Sequence, residues 1–306
     1  IIGAGTFGTA IAQQLSLNKK NNVYLFVRTK KQSKQINKKN TNKKYFQNFK
    51  LNKRIKSEHN FEILKDFEII ILAIPSSSFD YYQEIFSEHI NKNSLIINMS
   101  KGLLKDGVTI HDHFRLNLKL ENFISLKGPS FSAEVIRNAP TLLTLGYNNH
   151  DDVIRVKEIF KNTIFYFDFT TDINGVEYLS ALKNIYAVYM GNIDGKFNSN
   201  NTKYFIITQC FKEIKILLKY LSCDTKTADL GCGIGDLCLT SLSDLSRNRT
   251  LGLIIGKGFF NAQDNANNVV LEGVKTLKLL NKIIEPRLVE NLPILDALFE
   301  FFISKK

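Results

Sequence analysis

The sequence has no long apolar run and no leader pattern. Its longest uninterrupted apolar stretch, residues 69–74, is far too short to cross a bilayer. The first residues lack the sequence of charged, apolar and small side chains that marks a signal peptide. These absences lead us to expect a cytoplasmic protein without a membrane span.

Cysteine is also scarce, and its spacing is uninformative. The four cysteines lie in the second half without a C-x-x-C pair, at positions 210, 223, 232 and 238. A chain of 306 residues needs no disulfide to hold a core, so we expect reduced thiols. His111 and His113 flank Asp112 without a further cluster of ligands, so we expect a surface segment and no metal site.

What the chain does contain is enough apolar material for two domains, and an excess of positive charge. Hydrophobic residues make up 44% of the sequence, and the formal net charge is +12. Lysines are concentrated in residues 30–56, interleaved with asparagine. Such a segment could bind nucleic acid or attract a phosphate-bearing substrate. We favour a solvated lysine-rich face and no nucleic-acid partner.

A glycine motif opens the chain. Gly3, Gly5 and Gly8 form G-x-G-x-x-G ahead of a helical pattern over residues 10–17. In dinucleotide-binding domains these glycines allow a tight turn, close approach of the pyrophosphate and close helix packing. Only two apolar residues precede the motif, so we expect the first strand to be truncated.

Further predicted strands end in polar clusters. Strands over residues 68–74, 95–99 and 123–126 are followed by serine, lysine or glycine at 75–78, 100–102 and 128–131. Strands at 141–145 and 164–167 complete the pattern. Helices are predicted between them, at 79–90, 109–118, 132–137 and 151–161. This alternation predicts an α/β amino-terminal domain with a doubly wound (Rossmann) sheet of parallel strands, which binds its ligand at their carboxyl ends.

Arg28 bears on the choice of cofactor. It follows a strand at residues 23–27 and stands twenty residues after Gly8, where an acidic residue would bind the ribose of NAD. Arginine can pair with a 2′-phosphate instead. NADPH is therefore at least as plausible a cofactor as NADH.

Beyond residue 170 the pattern becomes helical, over residues 174–194, 203–220 and 268–284. We predict a dinucleotide-binding domain at 1–170 and an all-α domain at 171–306. Lys183 interrupts the apolar stripe of an amphipathic helix. Its ammonium could snorkel to water, or it could be a partly buried proton donor with a lowered pKa.

Two later segments admit alternatives. Residues 229–236 resemble the glycine-rich motif of S-adenosylmethionine-dependent methyltransferases, but that fold requires a preceding strand and a further α/β sheet, whereas helical sequence follows. Asp236, Thr240 and the Ser-Arg-Asn-Arg run at 246–249 suit a phosphomonoester, because arginine and asparagine offer free donors. A helix cap with a solvated charge explains the run equally well.

Ordered motifs along nearly the whole chain resemble the bacterial NAD(P)-dependent glycerol-3-phosphate dehydrogenases. They are GAGTFGTA from Gly3, IPSSSF from Ile74, SKGL from Ser100, GPSFSAEV from Gly128, NGVEYLSALKN from Asn174, NTKYFIIT from Asn201, GIGDLCLTSLSDLSRNR from Gly233 and LEGVKT from Leu271. The resemblance implies reversible reduction of dihydroxyacetone phosphate to sn-glycerol 3-phosphate with NADPH or NADH. It also implies a role in glycerophospholipid synthesis and a homodimer.

Site residues follow from the resemblance by position. The implied catalytic residues are Lys183, which matches the proton-transferring lysine, Asp236, which matches the carboxylate near it, and Lys101, which would add positive potential near the carbonyl and phosphate of the substrate. The implied substrate contacts are Lys101, Gly128, Ser130, Lys183, Asp236, Thr240, Ser246, Arg247 and Asn248. The implied cofactor contacts are Gly3, Gly5, Thr6, Phe7, Gly8, Arg28, Lys101, Ser132, Arg247, Val270 and Glu272.

The chain departs from the family pattern at one place, where Ile-Thr-Arg-Gly is replaced by Ile-Thr-Gln-Cys at residues 207–210. We expect this change to loosen a contact between domains. Two other functions stay open: a dehydrogenase of the same superfamily that acts on a different hydroxy acid or sugar, and a basic nucleic-acid-binding protein.

Overall fold

The computed structural model describes residues 1–259 and 272–304. The chain divides into two compact units. The first contains residues 1–100 and 110–173, and the second contains residues 101–109 and 174–306. Nothing in the sequence predicts that residues 101–109 belong to the second unit.

The first unit is built on a sheet. Its strands are β1 (Tyr24–Phe26), β2 (Lys56–Glu58), β3 (Ile69–Leu72), β4 (Leu95–Asn98), β5 (Phe123–Lys127), β6 (Thr141–Tyr147) and β7 (Phe165–Thr170). β1 pairs with β2, and β3 to β7 are neighbours in chain order. Ile2 forms parallel bridges to Phe26 of β1 and to Leu72 of β3, so it joins the two parts. With Ile2 as the first strand position, the spatial order to β5 is the 3-2-1-4-5-6 order of dinucleotide-binding sheets, which confirms the predicted α/β class.

Helices connect the strands of the first unit. They are α1 (Thr6–Leu15), α2 (Lys30–Lys39), α3 (Phe79–His89), α4 (Ile110–Asn117), α5 (Ser132–Val135) and α6 (His150–Ile159). The apolar side chains of β3 and β4 are almost all buried, in keeping with their continuous apolar runs. The core cluster of this unit includes Ile11 of α1, Ile97 of β4 and Val156 of α6, so helices and sheet share one core.

One strand direction was predicted wrongly. β6 runs antiparallel to β5, with Leu126 opposite Leu145, whereas all strands were expected to be parallel. The connection between them, residues 128–140, contains α5, whose four residues span about 6 Å. A strand of five residues spans about 17 Å. α5 is therefore shorter than the strand beside it, and the connection leads into a strand that runs the opposite way.

The lysine-rich segment has secondary structure that the sequence analysis missed. Residues 30–39 form α2, capped by Thr29, whose hydroxyl accepts from the Gln32 amide at 3.3 Å. The segment ends in β2, which pairs with β1. Its lysines are mostly exposed, as the solvated-face interpretation expects. Buried Ser33 and Ile36 give α2 the packed face that holds it to the unit.

The second unit is helical. Its helices are α7 (Ile173–Phe197), α8 (Asn200–Tyr220), α9 (Asp236–Leu242), α10 (Arg247–Gly256), α11 (Glu272–Ile283), α12 (Pro286–Val289) and α13 (Pro293–Phe302). They share a core that includes Leu182, Leu217, Leu280 and Leu298. The predicted start of a helix at residue 268 lies outside the described residues.

The helix of Lys183 differs from its prediction. It was expected to be amphipathic, but every residue from 179 to 188 is buried. The predicted stripe of Val176, Leu179, Tyr186 and Met190 does lie in the core. Alanines and further apolar residues fill the other faces, so this helix is central to its unit and not at its surface.

A buried carboxylate ties three helices of the second unit together. Glu213 of α8 is 3% exposed. It accepts hydrogen bonds from the amides of Ile294 and Leu295, at 2.7 and 3.1 Å, and from the Tyr186 hydroxyl at 3.2 Å. Burial raises the pKa of Glu213, although these three donors oppose the shift. Glu213 thereby caps α13 and holds it to α7.

Residues 229–236 do not form the strand and loop of a methyltransferase. Residues Thr225–Asp229 form a 3₁₀ turn, and Gly231–Gly235 form one turn of π-helix that leads into α9. A Cβ on Gly233 would collide with the carbonyl oxygen of Ala228. The glycines therefore serve close packing of the chain on itself.

Other sequence expectations concern cysteines, metals and membranes. Cys210, at the departure from the family pattern, is fully buried in the core of the second unit. All four cysteines are free thiols. Within residues 1–259 and 272–304, no group of histidine, cysteine or acidic residues could hold a metal ion. In the same residues no helix is long and apolar enough to cross a membrane.

Candidate functional site

The glycine turn of the first unit has the shape of a dinucleotide loop. Gly3 has φ of +107°, which disfavours any other residue, and it directly follows Ile2 of the sheet. A Cβ on Gly8 would collide with the Gly3 carbonyl oxygen. At Gly5, by contrast, a Cβ would meet no described atom within 4 Å. Gly3 and Gly8 are thus required by the fold, while Gly5 leaves open space beside the backbone.

Helix α1 begins directly after this turn. Gly5 is its N-cap and has no side chain that could bond to the amides of its first turn. Thr6 is exposed, and Phe7 packs against the core. A helix amino terminus with unpaired N–H groups and no nearby acid favours an anion. These features fit the pyrophosphate of a nicotinamide dinucleotide.

Other predicted cofactor and substrate positions of the first unit follow its strands. Arg28 is exposed, two residues beyond the end of β1. Gly128 follows β5, and a Cβ there would lie 2.5 Å from the Leu142 carbonyl oxygen. The Ser130 hydroxyl donates to the Gly128 carbonyl at 3.0 Å, and half-buried Ser132 begins α5. These positions lie at the carboxyl ends of strands, as the sequence predicted.

Three predicted residues of the second unit form a buried ionic cluster. Asp236, at the start of α9, is 1% exposed. Its Oδ1 pairs with the Lys183 ammonium, and its Oδ2 lies 3.0 Å from Lys101 Nζ. The Lys183 side chain is 5% exposed and that of Lys101 is 25% exposed. Because the Lys183 ammonium is bound to a buried carboxylate, the snorkelling interpretation is wrong.

The two lysines differ in basicity. Burial lowers the pKa of Lys183 to about 7; Asp236 opposes this shift and the charge of Lys101 adds to it. Burial also acts to lower the pKa of Lys101, but the Asp236 carboxylate outweighs it and raises that pKa. Burial alone would raise the pKa of Asp236, yet the two ammonium groups hold it below its usual value. Lys183 is therefore the group that can exchange a proton near neutral pH.

Two further polar residues surround this cluster. Thr240, one turn after Asp236, donates from its hydroxyl to Asp236 Oδ1 at 3.4 Å. Glu272 begins α11, and burial raises its pKa against the opposing charges of Lys101 and Lys183. Val270, also predicted to contact the cofactor, lies outside the described residues.

The predicted phosphate-binding turn begins α10. Ser246 is buried and caps this helix, since its hydroxyl accepts from the Arg249 amide at 3.3 Å. The helix-cap interpretation of Ser246 is therefore confirmed. Arg247 is exposed. Asn248 Oδ1 accepts from the Gly273 amide at 3.3 Å, so this turn also contacts α11.

Sequence reasoning missed several neighbours of this turn. Asn248 Nδ2 donates to Asn184 Oδ1 at 3.0 Å, which places the turn beside the residue that follows Lys183. The buried Arg249 pairs with Asp194 of α7. Asn184 and Asp194 stand outside the apolar stripe that drew attention to Lys183. Their only sequence signal was a polar residue on an otherwise apolar helix.

The strand order and glycine turn, followed by a helical unit that buries a lysine–carboxylate cluster, define the class of two-domain nicotinamide-dependent dehydrogenases. Family profiles show which family within this class the chain belongs to. The amino-terminal profile of NAD-dependent glycerol-3-phosphate dehydrogenase matches residues 1–153, and the carboxy-terminal profile matches residues 172–306. The chain belongs to this family, and the resemblance noted in the sequence is confirmed.

Two individual relatives bear a name that agrees with this family. A protein of Clostridium botulinum (strain Alaska E43 / Type E3), named glycerol-3-phosphate dehydrogenase (NAD(P)+), is 33% identical over 312 residues, which cover 100% of this chain and 92% of the relative. A protein of Leptospira biflexa with the same name is 34% identical and covers 90% of this chain and 84% of its own length.

Solved structures share the fold of this chain. The crystal structure of glycerol-3-phosphate dehydrogenase from Coxiella burnetii is 25% identical, with a TM-score of 0.87 over 99% of this chain and 93% of that chain. The enzyme from Saccharomyces cerevisiae has a TM-score of 0.85 at 21% identity, over 100% of this chain and 95% of that one, and supports the fold.

Proposed function

We propose that this protein catalyses the reversible, NAD(P)H-dependent reduction of dihydroxyacetone phosphate to sn-glycerol 3-phosphate. The observation that carries the proposal is the buried cluster of Lys183, Lys101 and Asp236 in the same unit as the turn at Ser246–Asn248. The cluster supplies a proton donor, and the turn supplies groups for a phosphate. The relatives' names point to the same reaction.

Lys183 is the proton donor in this proposal. Reduction of a ketone leaves negative charge on the former carbonyl oxygen, so a donor must lie within hydrogen-bond reach of that atom. A lysine with a pKa of about 7 is charged in part of the molecules at neutral pH and can also return as a neutral base. The same residue can therefore serve both directions of the reaction.

Asp236 and Lys101 prepare Lys183 for this role. The Asp236 carboxylate orients the Lys183 ammonium and offsets part of its burial cost. Lys101 stays charged because its pKa is raised, and its charge favours the neutral form of Lys183. Lys101 would also stabilise negative charge on the substrate oxygen. Thr240 helps to hold the carboxylate in place.

The phosphate is assigned to the start of α10. Arg247 is exposed and charged, and Asn248 keeps one amide hydrogen beyond the one given to Asn184. Both can donate to phosphate oxygens. Ser130 and Gly128 are assigned substrate contacts only by their match to the family motifs. Binding energy from this remote group would be used to align the ketone for reaction.

The first unit fits a nicotinamide dinucleotide, which supplies the hydride when bound. Gly3 to Gly8 would hold the pyrophosphate against the amides of α1. Arg28 would pair with a 2′-phosphate, if one is present. Lys101, Ser132, Arg247, Val270 and Glu272 are assigned further cofactor contacts by their match to the family motifs.

The wider role rests on the family resemblance. We propose a cytoplasmic homodimer that supplies a precursor of glycerophospholipids and has no nucleic-acid partner. The boundary near residue 170 would separate its dinucleotide-binding and substrate domains. The exposed lysines of residues 30–56 would then be a solvated face.

The direct test follows oxidation of NADPH and of NADH by purified protein with dihydroxyacetone phosphate. Oxidation that requires the phosphate-bearing substrate supports the proposal. Absence of oxidation with both cofactors, from protein whose melting temperature rises with NADPH, would contradict it. Oxidation of NADPH or NADH with a keto acid or keto sugar in place of dihydroxyacetone phosphate would identify another dehydrogenase.

A thermal-shift comparison adds the necessary control. A ligand that binds only the folded protein raises its melting temperature. NADPH or NADH should do so, and a DNA duplex at low salt should not. A shift with DNA alone, abolished by salt, would instead support nucleic-acid binding.

A further inference from the structure

Two arginines of α10 stand two residues apart in opposite environments. Arg247 is exposed, whereas Arg249 is 6% exposed. Arg249 Nη1 donates to Asp244 Oδ1 at 2.6 Å, and its Nη2 donates to Asp194 Oδ2. Because both outer nitrogens of Arg249 point at carboxylates, this arginine holds protein segments together, while Arg247 presents its charge to solvent.

Asp194 connects this arginine to the helix of Lys183. It lies on α7, about three turns after Lys183. Its side chain is 9% exposed, and Lys203 Nζ of α8 lies 3.1 Å from its other oxygen, Oδ1. The carboxylate is therefore held by cations from two different helices. Charge-assisted bonds of this kind are directional and little screened by water.

The backbones of α7 and α10 touch where these helices meet. A Cβ on Gly191 of α7 would collide with the carbonyl oxygen of Arg249. A Cβ on Gly252 of α10 would collide with the carbonyl oxygen of Val188. Glycines at these positions allow the two helix backbones to approach this closely. The ion pair between the Arg249 guanidinium and Asp194 adds a directional contact between the same two helices.

The first turn of α10 shares this attachment. The Arg249 amide donates to Ser246, and Asn248 donates to Asn184 of α7. The turn at Ser246–Asn248 is thus joined to α7 by an amide contact near Lys183 and by an ion pair farther along the helix. Movement of α10 along α7 would carry Arg247 and Asn248 with it.

We propose that Arg249 is a positioning residue, which sets the place of the phosphate-binding turn on α7 through its ion pair with Asp194. The inference rests on the proposed function, in which Arg247 and Asn248 hold the substrate phosphate. Arg249 itself does not touch the substrate. Its loss should weaken phosphate binding first and proton transfer much less.

The main variant is Arg249→Lys, which keeps the charge but cannot bond to Asp194 and Asp244 together. We expect the KM for dihydroxyacetone phosphate and the inhibition constant of inorganic phosphate to rise together, by about tenfold for a misplaced turn. The KM for NADPH should rise less than either phosphate constant, because Arg247 is the only residue of the Ser246–Asn248 turn that is also assigned a cofactor contact. The pH dependence of kcat should keep its midpoint, because that midpoint belongs to Lys183.

Control variants distinguish a positioning role of Arg249 from a general loss of stability. Lys215→Met removes an ion pair with Asp229 on the exposed part of α8 and should leave all constants unchanged. If Arg249→Lys fails to fold, Asp244→Asn tests the same guanidinium from its exposed partner, and both phosphate constants should rise together by about twofold to threefold.

Unchanged phosphate constants in the folded variant, whatever its melting temperature, would overturn the proposal. So would a rise in the KM for NADPH that exceeds the rise in both phosphate constants. Calorimetric titration of inorganic phosphate on the same proteins keeps the test independent of turnover. If wild-type protein binds phosphate but does not reduce dihydroxyacetone phosphate, only the proposed function is contradicted. If wild-type protein does neither, both the proposed function and the positioning role of Arg249 are contradicted.

Discussion

The two units of this protein differ in where most of their charge lies. The first has no acidic residue before Glu58, and its cations in residues 28–56 are mostly exposed, although Lys127 and Asp152 are buried elsewhere in this unit. The second buries charged groups in pairs, such as Lys183 with Asp236 and Arg249 with Asp194. Most of the excess positive charge of the first unit is therefore exposed to solvent, whereas the second unit buries paired charges.

This difference follows from what each unit has to recognise. A glycine turn and a helix amino terminus bind a pyrophosphate through backbone N–H groups, which require no buried ionised side chain. Proton transfer and phosphate positioning require side chains whose pKa or direction is set by their surroundings, and burial provides both at a cost in folding free energy. The following predictions, from the largest effect to the smallest, test this contrast.

Lys183→Ala should have the largest effect, because it removes the proposed proton donor from the buried cluster. We expect kcat to fall by about a hundredfold or more, as for loss of a general acid. The KM for NADPH should stay close to the wild-type value. Steady-state kinetics with Lys215→Ala as a surface control checks this, and retention of wild-type kcat would remove Lys183 from the mechanism.

Gly5→Ala should separate backbone recognition from folding. A Cβ at Gly5 meets no described atom within 4 Å, so the melting temperature should not change. The same Cβ would occupy space that a bound pyrophosphate needs. We expect the dissociation constant for NADPH to rise more than tenfold, which corresponds to over about 1.4 kcal/mol. Titration and thermal melts measure both quantities. Gly8→Ala is the contrasting variant, since its Cβ collides with Gly3 and should lower the melting temperature.

The pH dependence of kcat should follow the lowered pKa of Lys183. Ketone reduction needs the protonated amine, so its kcat should be high below a pKa of about 7 and fall as pH rises through it. Alcohol oxidation needs the neutral amine, so its kcat should rise over the same range. The change should be about tenfold between pH 6 and pH 8 in each direction. Parallel profiles in the two directions would argue against one shared group.

Arg28→Asp should have the smallest effect, since Arg28 is exposed and its pairing with a 2′-phosphate is screened by solvent. We expect the preference for NADPH over NADH, measured as a ratio of kcat/KM values, to fall about threefold to fivefold. Lys38→Asp makes the same charge change on α2 and should leave the ratio unchanged. An equal shift in both variants would indicate a general effect of the basic surface.

Backbone recognition was the more predictable part from sequence. The G-x-G-x-x-G turn and the apolar strands depend on short-range patterns, so the α/β class and the carboxyl-end position of Gly128 and Ser130 could be predicted. The reversal of β6 could not, because the direction of a strand depends on how its connection packs. Helix α2 was missed since its sequence, rich in lysine and asparagine, has little apolar periodicity.

The ionic cluster was only partly predictable. Lys183 was visible as a charge in an apolar stripe, and the family motifs placed Asp236 near it. The contact of Lys101 with Asp236 was not predicted. Asp194 and Arg249 could not be paired from sequence, because 55 positions separate them and no motif links them. The burial of every residue from 179 to 188 of α7 depends on contacts from several helices, which the helix's own periodicity does not encode.

The cap that Glu213 provides to α13 has a practical consequence for protein engineering. A truncation that removes α13 would take away the amide donors of Ile294 and Leu295 and leave a buried carboxyl group bonded to Tyr186, one turn from Lys183. Activity lost on shortening the chain there would then reflect damage to the helix of Lys183. An affinity tag fused close to residue 293 would carry the same risk, so tags are better attached through a linker beyond the end of α13.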